Sequence, residues 1–193
     1  MALLAIVDDA RPPPTRGAPE PVPRLEPPAF AELYESHADG VFALVTRLLG
    51  PSPDREDVLQ QAFLQVYLAL PRFRGESSVA TFVRRIAVHV AIDHLRGRGR
   101  RMVVTDPAAM DDLIEPGATP EARAAARRGL LALFTALADV DVDRRVAFVL
   151  TAIEGLSMRE AAALVGASPD AVKQRALAAR RQLELRLRER TSP

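Results

Sequence analysis

Apolar residues recur along this chain at helical spacing, and that pattern alone lays out its elements. Phe30, Leu33, Tyr34, Val41, Leu44, Val45 and Leu48 keep to one stripe, which ends at Gly50-Pro51. The next segment is more regular. Val58, Leu59, Ala62, Phe63, Val66, Tyr67 and Leu70 recur at alternating steps of one and three, the signature of an amphipathic helix. Its opposite face carries Glu56, Asp57, Gln60, Gln61 and Gln65, and Pro71 stops it. The loop Arg72-Phe73-Arg74-Gly75-Glu76-Ser77 follows, and Ser77 or Ser78 is placed to cap a third helix. There Val79, Phe82, Val83, Ile86, Ala87 and Val90 face a core. Arg85, His89, Asp93 and Arg96 form a polar stripe that continues into Arg98, Arg100 and Arg101.

Helical signals resume at Thr119, an N-cap residue before Pro120 and Glu121. Further on, two helix starts lie unusually close together. Ser157-Met158-Arg159-Glu160 is a capping box, in which serine and glutamate each satisfy an orphan backbone donor. Ser168-Pro169-Asp170 supplies an N-cap serine, a proline at the first helical position and an acid facing the positive helix end. Gly166-Ala167 between them suits a left-handed helix stop. Two helices joined by so short a turn make a helix-turn-helix, whose second helix normally enters the DNA major groove. On that helix Val172, Ala176, Ala179 and Leu183 point inward, leaving Gln174, Ala178 and Arg181 outward.

Two stretches lack the pattern. Residues 1–28 end in a proline-rich run that suits neither helix nor sheet, and 102–118 mixes acids with Pro107, Pro116 and Gly117. No strand and no internal repeat is expected. The fold class is therefore all-α: a tail over 1–28, a helical domain over 29–101, an acidic linker over 102–118 and a helix-turn-helix domain over 119–193, joined flexibly. Two small domains fit a length of 193 residues. The formal net charge is only +1, so a nucleic-acid surface must arise from local segregation of charge. The chain has no cysteine, which excludes disulfide and thiolate chemistry. The opening Met-Ala-Leu-Leu-Ala-Ile-Val lacks a positive leader and runs into Asp8-Asp9, so neither a signal peptide nor a membrane span is expected, and the location expected is the cytoplasm. With three histidines and no nucleophile–base arrangement, no catalytic residue and no cofactor are expected. His89 and Asp93 lie one turn apart but lack a third ligand nearby, so no metal site is expected either.

Taken together, "FAELYESHADGVFALVTRLLG", "DREDVLQQAFLQVYLAL", "RFRGESSVATFVRRIAVHVAIDHLRGRGRR" and "EGLSMREAAALVGASPDAVKQR" resemble, in order and spacing, the extracytoplasmic-function (group IV) sigma factors of bacterial RNA polymerase. The resemblance runs from Phe30 to about Leu187. It implies a promoter-melting domain and a helix-turn-helix domain, acting as a specificity subunit of core RNA polymerase on promoter DNA in response to a stress or envelope signal. An anti-sigma factor is the further partner it implies. Glu56, Asp57, Gln60 and Gln61 would then dock on the polymerase clamp, where carboxylates and amides suit a basic partner. Arg74, Ser77, Phe82, Arg85, His89, Asp93 and Arg96 would meet the minus-ten element, whose extruded base must regain lost stacking. Arg98, Arg100 and Arg101 would grip phosphate nearby. Ser168, Asp170, Lys173, Gln174, Arg175, Arg180 and Arg181 would meet the minus-thirty-five element.

The chain also departs from the family pattern. His89 stands at a common asparagine, Phe82 at the usual tryptophan, Asp170-Ala171 at a frequent Gly-Thr, and Ala178 at a further arginine. The exposed face of the last helix is therefore less basic than the family norm. Two other functions stay open at this point: a sigma-like protein that binds polymerase without initiating, and an ordinary helix-turn-helix regulator with an unrelated helical domain.

Overall fold

The computed structural model describes residues 27–97, 110, 113–114 and 117–191, with side chains from Phe30 to Leu187 among them. Arg98, Arg100 and Arg101 lie outside the described residues, as do most of the expected linker and all but the end of the expected tail. Among the described residues every regular element is helical. Helix α1 (Pro27–Leu49) begins three residues before the first residue of its apolar stripe. Two prolines can open it because the first turn has no use for their missing N–H groups. Gly50 ends it in the left-handed region, at φ +71°. Helix α2 (Arg55–Ala69) tightens into a 3-10 turn, Leu70–Arg72, at the expected proline. Helix α3 (Val79–Gly97) starts where the Ser78 hydroxyl accepts from the Thr81 backbone N–H at 3.2 Å. Asp54, before α2, and His94, near the end of α3, approach to 3.1 Å and tie the two helices at one end.

The other end of the chain follows its caps. Helix α4 (Pro120–Ala138) is capped by the Thr119 hydroxyl, and α5 (Val142–Phe148) by the Asp141 carboxylate. Helix α5 runs directly into a π-helical segment, Val149–Ile153, which the apolar pattern did not announce. Helix α6 (Met158–Val165) has both bonds of the capping box. Hydrogen bonding from Ser157 holds the Glu160 carboxyl below its ordinary pKa, so the carboxylate half of the box weakens as pH falls through that lowered value. Gly166 ends α6 at φ +66°, and the Ser168 hydroxyl accepts from the Ala171 N–H at 3.2 Å to open α7 (Pro169–Thr191). A side chain at Gly166 would be strained in this conformation even though nothing crowds the site.

Helices α1, α2 and α3 pack on one another, and α5 and α6 pack on α7. The two groups also pack together. Helix α3 lies against α5 and α6, and α1 touches the π-helical segment. One apolar cluster therefore runs from Leu33, Leu44 and Leu48 through Val66, Val83 and Ala87 to Val149, Leu150, Leu164 and Val172. A second, smaller cluster joins α4 to α7 through Phe134, Leu137, Ala179 and Leu183, with Leu113 packed against it. Val88, Ala91 and Ile92 are buried although they lie off the expected core stripe of α3, because α3 has neighbours on both sides. Tyr67 falls the other way. It belongs to the apolar stripe of α2 yet is 52% exposed, its ring set edge-to-face with that of Phe30 at a centroid distance of 5.2 Å.

Candidate nucleic-acid interface

Three surfaces hold the residues singled out by the sequence. The first is the polar face of α2. Glu56, Asp57, Gln60 and Gln61 are all exposed on it, while Val58, Ala62, Phe63 and Val66 fill the buried side. Burial of that apolar stripe fixes the rotation of the helix, so the four polar side chains share one orientation for a geometric reason. Leu64 and Leu68 are exposed on the same helix and add apolar area that the spacing did not single out.

The second surface is the loop 73–78 with α3. Arg74 is exposed and Ser77 half-buried. Phe82 is buried at 7% exposure, its ring 4.5 Å from that of Phe73. It anchors the loop on the helix rather than standing open to a base. Asp93 and Arg96 are exposed, while Arg85 and His89 are half-buried, because α6 covers this part of the helix. Burial pushes the His89 pKa below the ordinary 6.5, and Arg85 and Arg96 act in the same sense. Asp93 and a hydrogen bond to the backbone of Leu164 in α6 oppose them.

That shift has a consequence for stability. A histidine whose folded pKa is depressed resists protonation in the folded state only. Its contribution is complete above 6.5 and is lost as pH falls through the lowered folded value. Thermal stability of the chain should thus drop more on acidification below pH 6.5 than that of His89→Asn. Parallel pH profiles for the two proteins in thermal melts would refute the effect.

The third surface is α7. Ser168, Asp170, Lys173, Gln174, Arg180 and Arg181 are exposed, and Ala178 is half-buried. Val172, Ala176, Ala179 and Leu183 are buried, the inward set expected from the helical wheel. Arg180 pairs with Glu184 one turn on, at 3.1 Å. Arg175 is half-buried and reaches Asp143 in α5 at 3.6 Å.

Sequence reasoning missed two residues here, both acids. Asp143 also accepts from Arg96 of α3 at 2.7 Å, so a single carboxylate joins α3 to α7. Glu154, just after the π-helical segment, accepts from Arg84 at 2.9 Å and from Arg47. Its side chain is only 7% exposed. The pairings with Arg96, Arg84 and Arg47 span 47, 70 and 107 residues of chain, and no local pattern signals them. Among the described residues no group of three His, Asp or Glu side chains could hold a metal ion. No helix among them is long and apolar enough to cross a membrane.

These surfaces lie on two segments with known relatives. The sigma-70 region 2 family matches residues 33–101, and the sigma-70 region 4 family matches 130–183. The chain is 32% identical over 172 residues to the ECF RNA polymerase sigma-E factor of Escherichia coli K12, covering 86% of this chain and 90% of that one. It belongs to the ECF sigma factors. The RNA polymerase sigma-H factor of Pseudomonas aeruginosa is 31% identical over 173 residues, covering 86% of this chain and 89% of the relative. Among solved structures, CnrH in complex with the cytosolic domain of CnrY aligns over 86% of this chain and 92% of its own, with 27% identity and a TM-score of 0.58. The sigma factor RpoE of Bartonella quintana, in complex with the anti-sigma factor NepR, shares the fold at 20% identity and a TM-score of 0.57, covering 82% and 96%. As an ECF sigma factor, the protein serves RNA polymerase in promoter recognition and transcription initiation. Sigma factors are initiation factors rather than enzymes. In this one, region 2 corresponds to α1–α3 and region 4 to the helices from α4 to α7.

Proposed function

We propose that this sigma factor docks on core polymerase through Glu56, Asp57, Gln60 and Gln61, and melts its promoters with the loop 73–78 and the polar stripe of α3. Helix α7 meets the upstream duplex through Lys173, Gln174, Arg175, Arg180 and Arg181, with the backbone N–H groups near Ser168 and Asp170 facing phosphate. The functional units are 29–101 and 119–193. The protein works in the cytoplasm without catalysis of its own, and an anti-sigma factor is its regulator, a kind of partner with which the Bartonella quintana relative RpoE forms a complex. The observation that carries this reading is the arrangement of α2, with four exposed polar side chains opposite the buried Val58, Ala62, Phe63 and Val66. Transcription in vitro with core polymerase on a genomic promoter library tests it. Specific start sites should appear only when the protein is added, and a library without any would refute initiation.

Helix α7 permits a quantitative check. Each added phosphate contact releases counterions and steepens the slope of log affinity against log salt by about 0.9. Ala178→Arg should therefore tighten duplex binding at low salt and steepen that slope, broadly without regard to sequence. Arg181→Ala should move both quantities the opposite way. Fluorescence anisotropy across a salt series measures them. Parent-like values for both variants would remove this face from the DNA surface.

A further inference from the structure

Asp143 and Glu154 sit at the junction between the two halves, and each carboxylate holds two arginines. Asp143 Oδ1 lies 2.7 Å from Arg96 Nη2 of α3, and its Oδ2 lies 3.6 Å from Arg175 Nη2 of α7. Glu154 Oε2 lies 2.9 Å from Arg84 Nη2, and its Oε1 meets Arg47 Nε. A carboxylate and a phosphate offer a guanidinium the same thing, two anionic oxygens at fork spacing. We infer that Asp143 and Glu154 latch this sigma factor in a closed state, with Asp143 standing where promoter phosphate would otherwise pair with Arg96 and Arg175. The inference rests on the DNA-facing roles proposed above for α3 and α7.

The geometry makes the two states exclusive at several points at once. His89 is half-buried and hydrogen-bonded to the Leu164 backbone, so single-stranded DNA cannot lie along this part of α3 while α6 is there. Arg96 and Arg175 cannot serve Asp143 and a phosphate with the same guanidinium edge. The two acids also differ in strength. Asp143 and its partners are each at least a third exposed, and such pairs contribute little in water. That contact exchanges readily for an incoming polyanion. Glu154 is buried between two guanidinium groups, so it is the firmer half of the latch. Apolar contacts between the halves remain beneath both, and removal of the acids alone should open part of the population.

A protein whose binding-competent state is a minor fraction loses apparent affinity by that fraction. Raising the open share from about a tenth to about a half would tighten binding about fivefold. The chain has no cysteine, so spin labels can be placed at Glu35→Cys and Leu185→Cys, both exposed and on opposite halves. The labelled parent should give a narrow main distance distribution with only a minor longer component, about a tenth of the whole. D143N/E154Q should add a broad, longer population and bind a single-stranded promoter oligonucleotide about fivefold tighter. A control lacking two exposed acids away from the junction, E121Q/E184Q, should keep the parent's distances, which separates opening from a bare change of charge. Should the variant fold poorly by circular dichroism, the oligonucleotide itself replaces it: added to the parent, it should shift the distribution to the longer distances. Distances unmoved by either treatment would overturn the latch. Library transcription with the unlabelled parent keeps the two ideas apart. A parent that initiates while its distances never move overturns only the latch, whereas a parent that fails to initiate overturns the role of α3 and the latch's purpose with it.

Discussion

Asp57→Lys should abolish co-purification with core RNA polymerase while leaving helical circular dichroism unchanged. Asp57 is exposed in the first turn of α2, beside Glu56 and one turn before Gln60 and Gln61. Reversal replaces an attraction to a basic partner with a repulsion at the centre of the proposed contact, and like-charge juxtaposition in an interface costs several kcal/mol. A loss of about 4 kcal/mol is close to a thousandfold in affinity, enough to empty a pull-down. Inside the folded monomer the same change is small, because the side chain faces solvent and only the favourable position of an acid at a helix start is given up. Undiminished polymerase binding by the folded variant would take the docking surface away from α2.

The largest effect on stability is expected from the core that the two halves share. Leu150 is fully buried in the cluster that also holds Leu44, Leu48, Val66 and Val83. Truncation to alanine leaves a cavity and should cost about 2–5 kcal/mol. That is a large part of the roughly 5–15 kcal/mol that holds an ordinary domain folded. Because the cluster crosses between halves, Leu150→Ala should lower the unfolding midpoint of α1–α3 along with that of α5–α7, in one transition. Calorimetry decides the point. Two resolved transitions, of which only one moves, would show that the halves unfold separately.

Local features of the fold were legible in the sequence because their causes are local. Ser78, Thr119, Ser157 and Ser168 cap helices where the sequence placed caps, and Gly50 and Gly166 take the left-handed conformation that stops a helix. The inward set of α7 follows from a rotation of 100° per residue. What could not be read has a cause remote in sequence. Arg85 and His89 look like an open polar stripe until α6 is laid over them, and Val88 and Ile92 look peripheral until α3 gains its second neighbour. The apolar pattern of α2 cannot distinguish Val66, fully buried, from Tyr67, which stands half in solvent at the edge of the helix bundle. Asp143 and Glu154 carry no signal in their own neighbourhood, since each acquires its meaning from arginines far along the chain.

The wide turn at Val149–Ile153 ties the meeting of the halves to a count of residues. There the Glu154 N–H bonds the carbonyl of Val149, five residues back, at 2.9 Å, where an α-helix would reach back four. The segment thus holds one residue more than a regular turn, and that residue sets the direction in which Glu154 leaves α5. Deleting a single position would restore ordinary pitch and swing everything beyond it by about 100°. Glu154 would then miss Arg47 and Arg84 altogether. Ala152 and Ile153 are exposed, so a different side chain at either costs little. The segment that accepts new side chains at Ala152 and Ile153 should refuse an insertion or a deletion.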